Sequence, residues 1–270
     1  MSRFGGYEDQ PFVAELYDFI PQYASRGDID FHLDLARSAG GKVLELGCGT
    51  GRVLVPIAAA GYQIVGLDLS EHMLAKCREG VQSQPPEVQE RVRVVQGNMV
   101  EIELRETFSL VTAPFRPFQH LISVDEQPGC LRCLNRHLEK GGKLVLDLFQ
   151  VAPRRMHDPA FVEEWEDVPE VELPDGRKLR RTSRTLAFHR AEQYNDVEMA
   201  YYVTHRDGRT ERLVQAFPFR YFFRYEVEHL LARGGFKVAG LYGNFDKSPL
   251  ADDSPEMLFV AERCGNVALP

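Results

Sequence analysis

Nowhere in the 270 residues does an apolar run approach the ~20 positions that a membrane-spanning helix needs. The N-terminal stretch MSRFGGYEDQPF lacks the basic start, apolar stretch and small-residue cleavage site of a secretory signal, so the expected location is the cytoplasm. Basic charge is in deficit, with 32 Lys and Arg against 40 Asp and Glu and a formal net charge of -8. Capture of nucleic acid or an anionic membrane would therefore need a local basic patch, and neither is an expected partner. Cysteine is sparse at five, which fits a reducing compartment. The pair Cys130-x-x-Cys133 has no second pair near it and lies in a segment with Leu131, Leu134 and Leu138 at helical spacing, so it reads as two packed thiols, and no metal site is expected. The chain also lacks the G-x-S-x-G elbow of hydrolases, the phosphate-binding G-x-x-x-x-G-K-[ST], internal repeats and low-complexity linkers.

What is present is an ordinary globular composition, 44% hydrophobic and 27% charged, at a length that suits one large domain or one domain with an insertion. From 42 to 150, short β-branched runs alternate with helical stretches, the signature of a parallel sheet covered on both faces. KVLEL (42–46), YQIVGL (62–67), VRVV (92–95), FSLVTA (108–113) and KLVLDLF (143–149) are the expected strands. A helix ending at Gly61 follows the first, with Pro56 delaying its start, and Ser70 is placed to cap the helix EHMLAKCREGV. Between 161 and 222, Pro174-Asp175-Gly176 and Asp207-Gly208 are flanked by β-branched and aromatic runs, which predicts two antiparallel hairpins. RYEVEHLLARGGF (224–236) reads as a helix, and KVAGLY and MLFVAE as two strands rejoining the first half.

The glycines of Val43-Leu44-Glu45-Leu46-Gly47-Cys48-Gly49-Thr50-Gly51 let a strand end in a tight turn and leave main-chain N–H groups facing a ligand. The dinucleotide fingerprint G-x-G-x-x-G would place its third glycine at Arg52, which disfavours NAD. The second strand ends at Asp68, whose carboxylate can accept from both hydroxyls of a ribose.

This E-x-G-x-G-x-G spacing, on Glu45, Gly47, Gly49 and Gly51, resembles the glycine loop of class I S-adenosylmethionine-dependent methyltransferases. The resemblance covers 42–150, and the helix and strands of 224–263 fit the end of the same fold. It implies a doubly wound, mostly parallel seven-stranded α/β sheet of Rossmann-like type with an antiparallel β insertion: a cofactor domain of 1–150 plus 223–270, and a subdomain of 151–222 covering the acceptor site. It further implies S-adenosylmethionine as cofactor, with Cys48 in the loop, Asp68 on the ribose, Leu69 and Met73 flanking the adenine, Asn98 and Met99 at its edge, and Tyr17 and Tyr23 in the region that folds over it. Asn98 stands where many relatives have aspartate.

The segment from Ala113 to Leu121 corresponds to the wall near the reactive methyl, with Arg116, Phe118 and Gln119 as acceptor-contacting residues and His120 and Tyr221 as candidate bases. Thr112-Ala113-Pro114-Phe115 is not the [DNS]-P-P-[YF] tetrapeptide of amino-methylating DNA and protein methyltransferases, which directs the reading to N or O methylation of a small molecule. The insertion is similar to that of sugar-nucleotide amine N-methyltransferases. Two alternatives remain: a nicotinamide-dependent oxidoreductase sharing Asp68, and a cofactor-binding relative without turnover. The acceptor and the oligomeric state, a homodimer among the options, are left open.

Overall fold

The computed structural model describes residues 10–265. In chain order it begins with the short helices α1 (Pro11–Leu16) and α2 (Pro21–Ala24) and then α3 (Ile29–Ala39). Strands and helices alternate through β1 (Val43–Leu46), α4 (Leu54–Ala59), β2 (Ile64–Asp68), α5 (Glu71–Gln82), α6 (Pro86–Gln89), β3 (Val92–Gln96), β4 (Phe108–Ala113), α7 (Glu126–His137) and β5 (Leu138–Phe149). The strands β6 (Trp165–Glu172), β7 (Lys178–His189), β8 (Tyr194–Thr204) and β9 (Thr210–Arg220) follow, and α8 (Arg224–Arg233), β10 (Phe236–Tyr242) and β11 (Glu256–Arg263) complete the order. No helix is long and apolar enough to cross a membrane among the described residues.

One compact unit comprises 27–150 and 221–270. Its seven strands run in the order β10-β11-β5-β4-β1-β2-β3, parallel from β5 to β3, with β11 antiparallel to β5 and β10 antiparallel to β11. Strand alternation sends successive side chains to opposite faces. Leu44, Leu46, Val111, Leu144 and Leu146 pack with Cys130, Leu131 and Leu134 of α7 and Val227 and Leu231 of α8. Val43, Leu110 and Val145 pack on the other face with Phe31 and Leu35 of α3, Leu54 and Ile57 of α4 and Cys77 of α5. Cys130 and Cys133 are thus core thiols. Pro56 lies in the first turn of α4, where its missing N–H costs no helical bond. Leu138, expected on the α7 face, instead opens β5, because the helix ends at His137 and the chain there is already extended.

Among the described residues the second unit comprises 10–26 and 151–220, so the N-terminal segment groups with the inserted strands rather than with the seven-stranded sheet. The two expected hairpins are joined by a β7–β8 pairing into one antiparallel sheet, β6-β7-β8-β9. Asp175 and Asp207 each accept the backbone N–H two residues on, at 2.9 and 3.0 Å, and Gly176 and Gly208 take the left-handed conformations these turns demand. A buried cation pins the N-terminal segment to this sheet. Arg181, 3% exposed, donates to the Asp167 carboxylate at 2.8 Å and to the Tyr23 hydroxyl at 2.6 Å, and lies against the Tyr201 ring, on which Phe12 packs edge-on.

Removing one partner of such a pair leaves a buried charge uncompensated. Asp167→Ala is therefore expected to cost about 3–5 kcal/mol in urea or thermal unfolding, whereas Lys178→Ala, which breaks an exposed pair with Glu170, should cost under about 1 kcal/mol. Equal losses for the two variants would refute the pinning role of Arg181.

Candidate functional site

Strands β1 and β2 run in register to Leu46 and Leu67, and the Cys48 N–H donates to the Leu67 carbonyl at 3.0 Å. Beyond that point the chain turns through Gly47, Gly49 and Gly51, whose φ values are +61°, +55° and +92°. Space as well as conformation demands glycine at two of them. A Cβ on Gly47 would lie 2.7 Å from the Pro117 Cβ, and one on Gly51 would lie 2.9 Å from the Cys77 Sγ. The half-buried Asp68 carboxylate accepts from Gly49 N–H at 2.8 Å and from Ser70 N–H at 2.9 Å. Ser70 in turn accepts from Met73 N–H at 3.3 Å and so caps α5. Two hydrogen bonds to Asp68 thus shape the loop, and a carboxylate is an acceptor-only group of the kind that pairs with hydroxyls. Leu69 beside it is 43% exposed, an apolar surface of the kind a flat ring covers.

Beneath this loop lies a buried polar cluster. Glu45 is 2% exposed, its Oε2 has no hydrogen-bond partner, and burial pushes its carboxyl well above the usual range, with Arg52 opposing that rise. Arg52 makes a two-pronged contact with the fully buried Asp28 at 2.5 and 2.6 Å. His32 Nδ1 lies 2.8 Å from the Thr112 hydroxyl, and Asp147 accepts from Phe115 N–H at 2.8 Å. Ligand atoms of Asp28, His32 and Asp147 lie within 4.8 Å of one another, and Arg52, Thr112 and the Phe115 amide engage them respectively. Sequence reasoning missed Asp28, His32, Thr112 and Asp147 as members of this cluster. Two of them carry a signal: Thr112 and Asp147 are polar positions within otherwise apolar buried strands. Arg52, which spoils the dinucleotide fingerprint, is committed to Asp28, and this removes the nicotinamide alternative's third glycine on structural grounds as well.

The loop after β4 carries two consecutive non-glycine residues in the left-handed region, Phe115 at φ +59° and Arg116 at +74°. Arg116 donates to both oxygens of Glu256 at 3.0 and 3.2 Å and stacks over the Phe149 ring. Two residues expected at the acceptor are packed inward here. Phe118 is 1% exposed and packs on Phe222, and Gln119, fully buried, accepts from Phe149 N–H at 3.0 Å, so both hold the loop to the core. Ala113 ends β4, fully buried.

His120 is half-buried, and desolvation lowers its pKa to about 4, well below the ordinary imidazole value that the sequence suggests. Tyr221 is 1% exposed and packs edge-on to Phe223, a core position rather than an accessible base. Met73 is 2% exposed, so its side chain is packed away where an adenine-flanking surface was expected. Asn98 is exposed and its carbonyl accepts from Val100 N–H at 3.0 Å, a local turn that leaves the acceptor with one further lone pair. Met99 packs against the core. Tyr23 is engaged by Arg181, and the Tyr17 ring lies 4.6 Å from that of Tyr23, which ties both to the second unit.

The geometry therefore offers a carboxylate suited to vicinal hydroxyls beside an exposed apolar side chain, and a buried carboxyl suited to a cationic ammonium. Residues 43–142 match the family model described as a methyltransferase domain. The cypemycin N-terminal methyltransferase of a Streptomyces species is 28% identical over 258 residues, covering 92% of this chain and 95% of that protein. Among solved structures, the CcbJ methyltransferase of Streptomyces caelestis superposes with a TM-score of 0.75 at 26% identity, over 96% of this chain and 98% of its own. CalS10 of Micromonospora echinaspora, an amino pentose methyltransferase solved with its methyl donor bound, does so with a TM-score of 0.68 at 26% identity, over 92% and 96%.

Two expectations follow. Asp68→Ala removes an acceptor of ribose and two loop tethers, and should weaken S-adenosylhomocysteine binding by at least about tenfold in titration calorimetry, about 1.4 kcal/mol; unchanged affinity would remove Asp68 from the site. For Glu45, the folded carboxyl titrates above its unfolded value of ~4.3, so its contribution to stability is complete below that pH and is lost as pH rises through the folded value. Glu45→Gln escapes that loss. The melting temperature of the variant relative to the parent should climb from acid to alkaline pH while cofactor affinity falls, and a pH-independent difference would contradict the buried-carboxyl assignment.

Proposed function

We infer that this chain, a class I S-adenosylmethionine-dependent methyltransferase, delivers its methyl group to an amine nitrogen of a small molecule, with amino sugars as the favoured acceptor class. The residues present fit the cofactor, since the Asp68 carboxylate at the end of β2 is of the chemistry that accepts from ribose hydroxyls and the orphaned Glu45 Oε2 suits the ammonium of a methionyl group. When bound, S-adenosylmethionine supplies a methyl group on a sulfonium whose departure needs no acid from the protein. What remains for the chain is to hold, align and desolvate. The glycine loop contributes backbone donors at a helix start, Asp68 fixes the sugar hydroxyls, Leu69 offers apolar surface, and Asn98 retains a neutral acceptor for an exocyclic amino group.

The observation that carries the choice of nitrogen is His120. With a pKa of about 4 the imidazole is neutral across the physiological range and is a weak base. An alcohol would need far stronger help to become a nucleophile, whereas an amine brings its own lone pair once its ammonium proton is lost to solvent, which leaves the neutral imidazole to orient it. CalS10, named for an amino pentose, supports the sugar class. The cypemycin relative supports a second amine class, a peptide N-terminus. Cytoplasmic action accompanies this reading, in keeping with cysteines that are thiols rather than disulfides.

The test is transfer of a labelled methyl group to a thymidine-diphosphate-linked 3-amino-3-deoxy sugar, to its 3-hydroxy counterpart and to a short peptide with a free N-terminus. Methylation of the amino sugar and not the alcohol is expected; preference for the alcohol would overturn the nitrogen assignment, and preference for the peptide would move the acceptor class. His120→Ala should leave S-adenosylhomocysteine affinity within about twofold and lower kcat by roughly tenfold or more. Since the imidazole stays neutral down to about pH 4, an acid limb between pH 6 and 8 belongs to the acceptor's ammonium and persists in the variant. A limb near 6.5 that vanishes in His120→Ala would show the histidine titrating as the base instead.

A further inference from the structure

The face of the inserted sheet that carries Arg181 is polar where a packed sheet face is ordinarily apolar. Register places Arg181, Tyr201 and Leu213 in one row, Ser183, Met199 and Gln215 in the next, Thr185, Val197 and Phe217 in the third, and Asn195 opposite Phe219 beyond them. The first row is satisfied from within its own unit, by Asp167, Tyr23 and Phe12. In the later rows two side-chain amide atoms have no hydrogen-bond partner among the described residues. Gln215 is 1% exposed, yet its Nε2 has no hydrogen-bond partner, and its only contact in hydrogen-bonding range at the other end is the Tyr201 hydroxyl at a long 3.5 Å. Exchanging the two ends of the amide would orphan the oxygen instead, so either orientation leaves one end unsatisfied.

Asn195 shows the complementary defect. Its amide nitrogen donates to the Arg155 carbonyl at 2.8 Å, which fixes its orientation, and its buried Oδ1 accepts from nothing. A buried amide atom without a hydrogen-bond partner is costly and rare in folded proteins, and two on one sheet face call for a reason. Between them lie Phe217, 5% exposed, and the buried hydroxyls of Ser183 and Thr185, with no charged side chain in either of those rows.

We propose that Gln215, with Asn195, is a specificity-determining subsite that recognises the neutral, hydroxyl- or carbonyl-bearing portion of the methyl acceptor. Gln215 donates to an acceptor oxygen, Asn195 accepts from a hydroxyl, and Phe217 packs on the apolar ring face between them. Asn195 lies four residues from Met199 along β8, roughly 13 Å at the usual strand rise, so the acceptor that satisfies both is longer than one ring. The proposal rests on the small-molecule acceptor reading above and specifies which side chains read the acceptor.

The experiment compares the parent with Gln215→Met, which keeps length and removes the amide, and Gln215→Glu, which keeps shape and removes the donor. S-adenosylhomocysteine affinity, melting temperature, and kcat and KM for the thymidine-diphosphate-linked 3-amino-3-deoxy sugar are measured for each. Cofactor affinity should stay within about twofold, Gln215→Met should melt at or above the parent because an unsatisfied buried amide is gone, and KM should rise about tenfold or more in both with kcat little changed. An unchanged KM overturns the proposal. So does a clear fall in melting temperature or failure of Gln215→Met to fold, because the amide would then be a satisfied structural group. If the parent itself does not methylate this probe, the amino-sugar reading fails, and the melting comparison still decides whether the Gln215 amide lacks a partner.

Discussion

The turn between β1 and α4 exposes amide donors that no strand can satisfy, and one carboxylate answers for two elements at once. Asp68 accepts from Gly49 on the turn and from Ser70 at the start of α5, each bond strengthened by the charge. Because Ser70 also caps α5, the end of β2, the glycine loop and the helix that follows form one hydrogen-bonded piece. Pro117 against Gly47 and Cys77 against Gly51 then leave no room for a Cβ at either glycine. The loop shape that a ligand meets is thus set by contacts that exist without it, and this is preorganisation in the ordinary sense: the cost of ordering is met in folding rather than on binding.

Around that piece the unit concentrates buried charge. Asp28, Glu45 and Asp147 are each no more than 2% exposed, and Arg52 is the cation paired with Asp28. Burial of this kind is poor evidence for stability, since desolvation rivals the attraction regained. Glu45 is the clearest case, because its second oxygen has no partner and its carboxyl is pushed toward the neutral form. A hydrophobic residue of similar size would serve the fold better there. The carboxyl makes sense for a protein whose working state includes a cationic ligand group.

Legibility in the sequence followed the range of the interaction. The strands, the cap at Ser70, the turns at Gly176 and Gly208 and the glycine loop are each dictated by a few neighbouring residues, and all of them read correctly. The packing of Tyr23 did not, since its partner Arg181 lies 158 positions away and no local pattern announces the pair. Phe118 and Gln119 look like surface residues of a polar loop, yet the four-residue helical turn Pro117–His120 buries both against β5 and Phe222. His120 reads as an ordinary imidazole until the desolvation of its ring is known. Thr112 and Asp147 were readable in principle, being polar residues on strands buried at every neighbouring position.

The strain at Phe115 and Arg116 shows how such a site is held. Two successive left-handed non-glycine residues cost on the order of 1–3 kcal/mol each and persist only where the surroundings over-determine them. Here Asp147 takes the Phe115 amide, Glu256 takes the Arg116 guanidinium, and Gln119 ties the same segment to Phe149. Relaxing the turn would break the bond from the Phe115 amide to a buried carboxylate on β5, a charge-assisted contact that opposes release of the strain. The consequence is a wall fixed in one conformation on the side where β4 ends. If this loop faces the acceptor, as proposed above, its rigidity suits it to holding a nucleophile in line and leaves discrimination among acceptors to residues outside it.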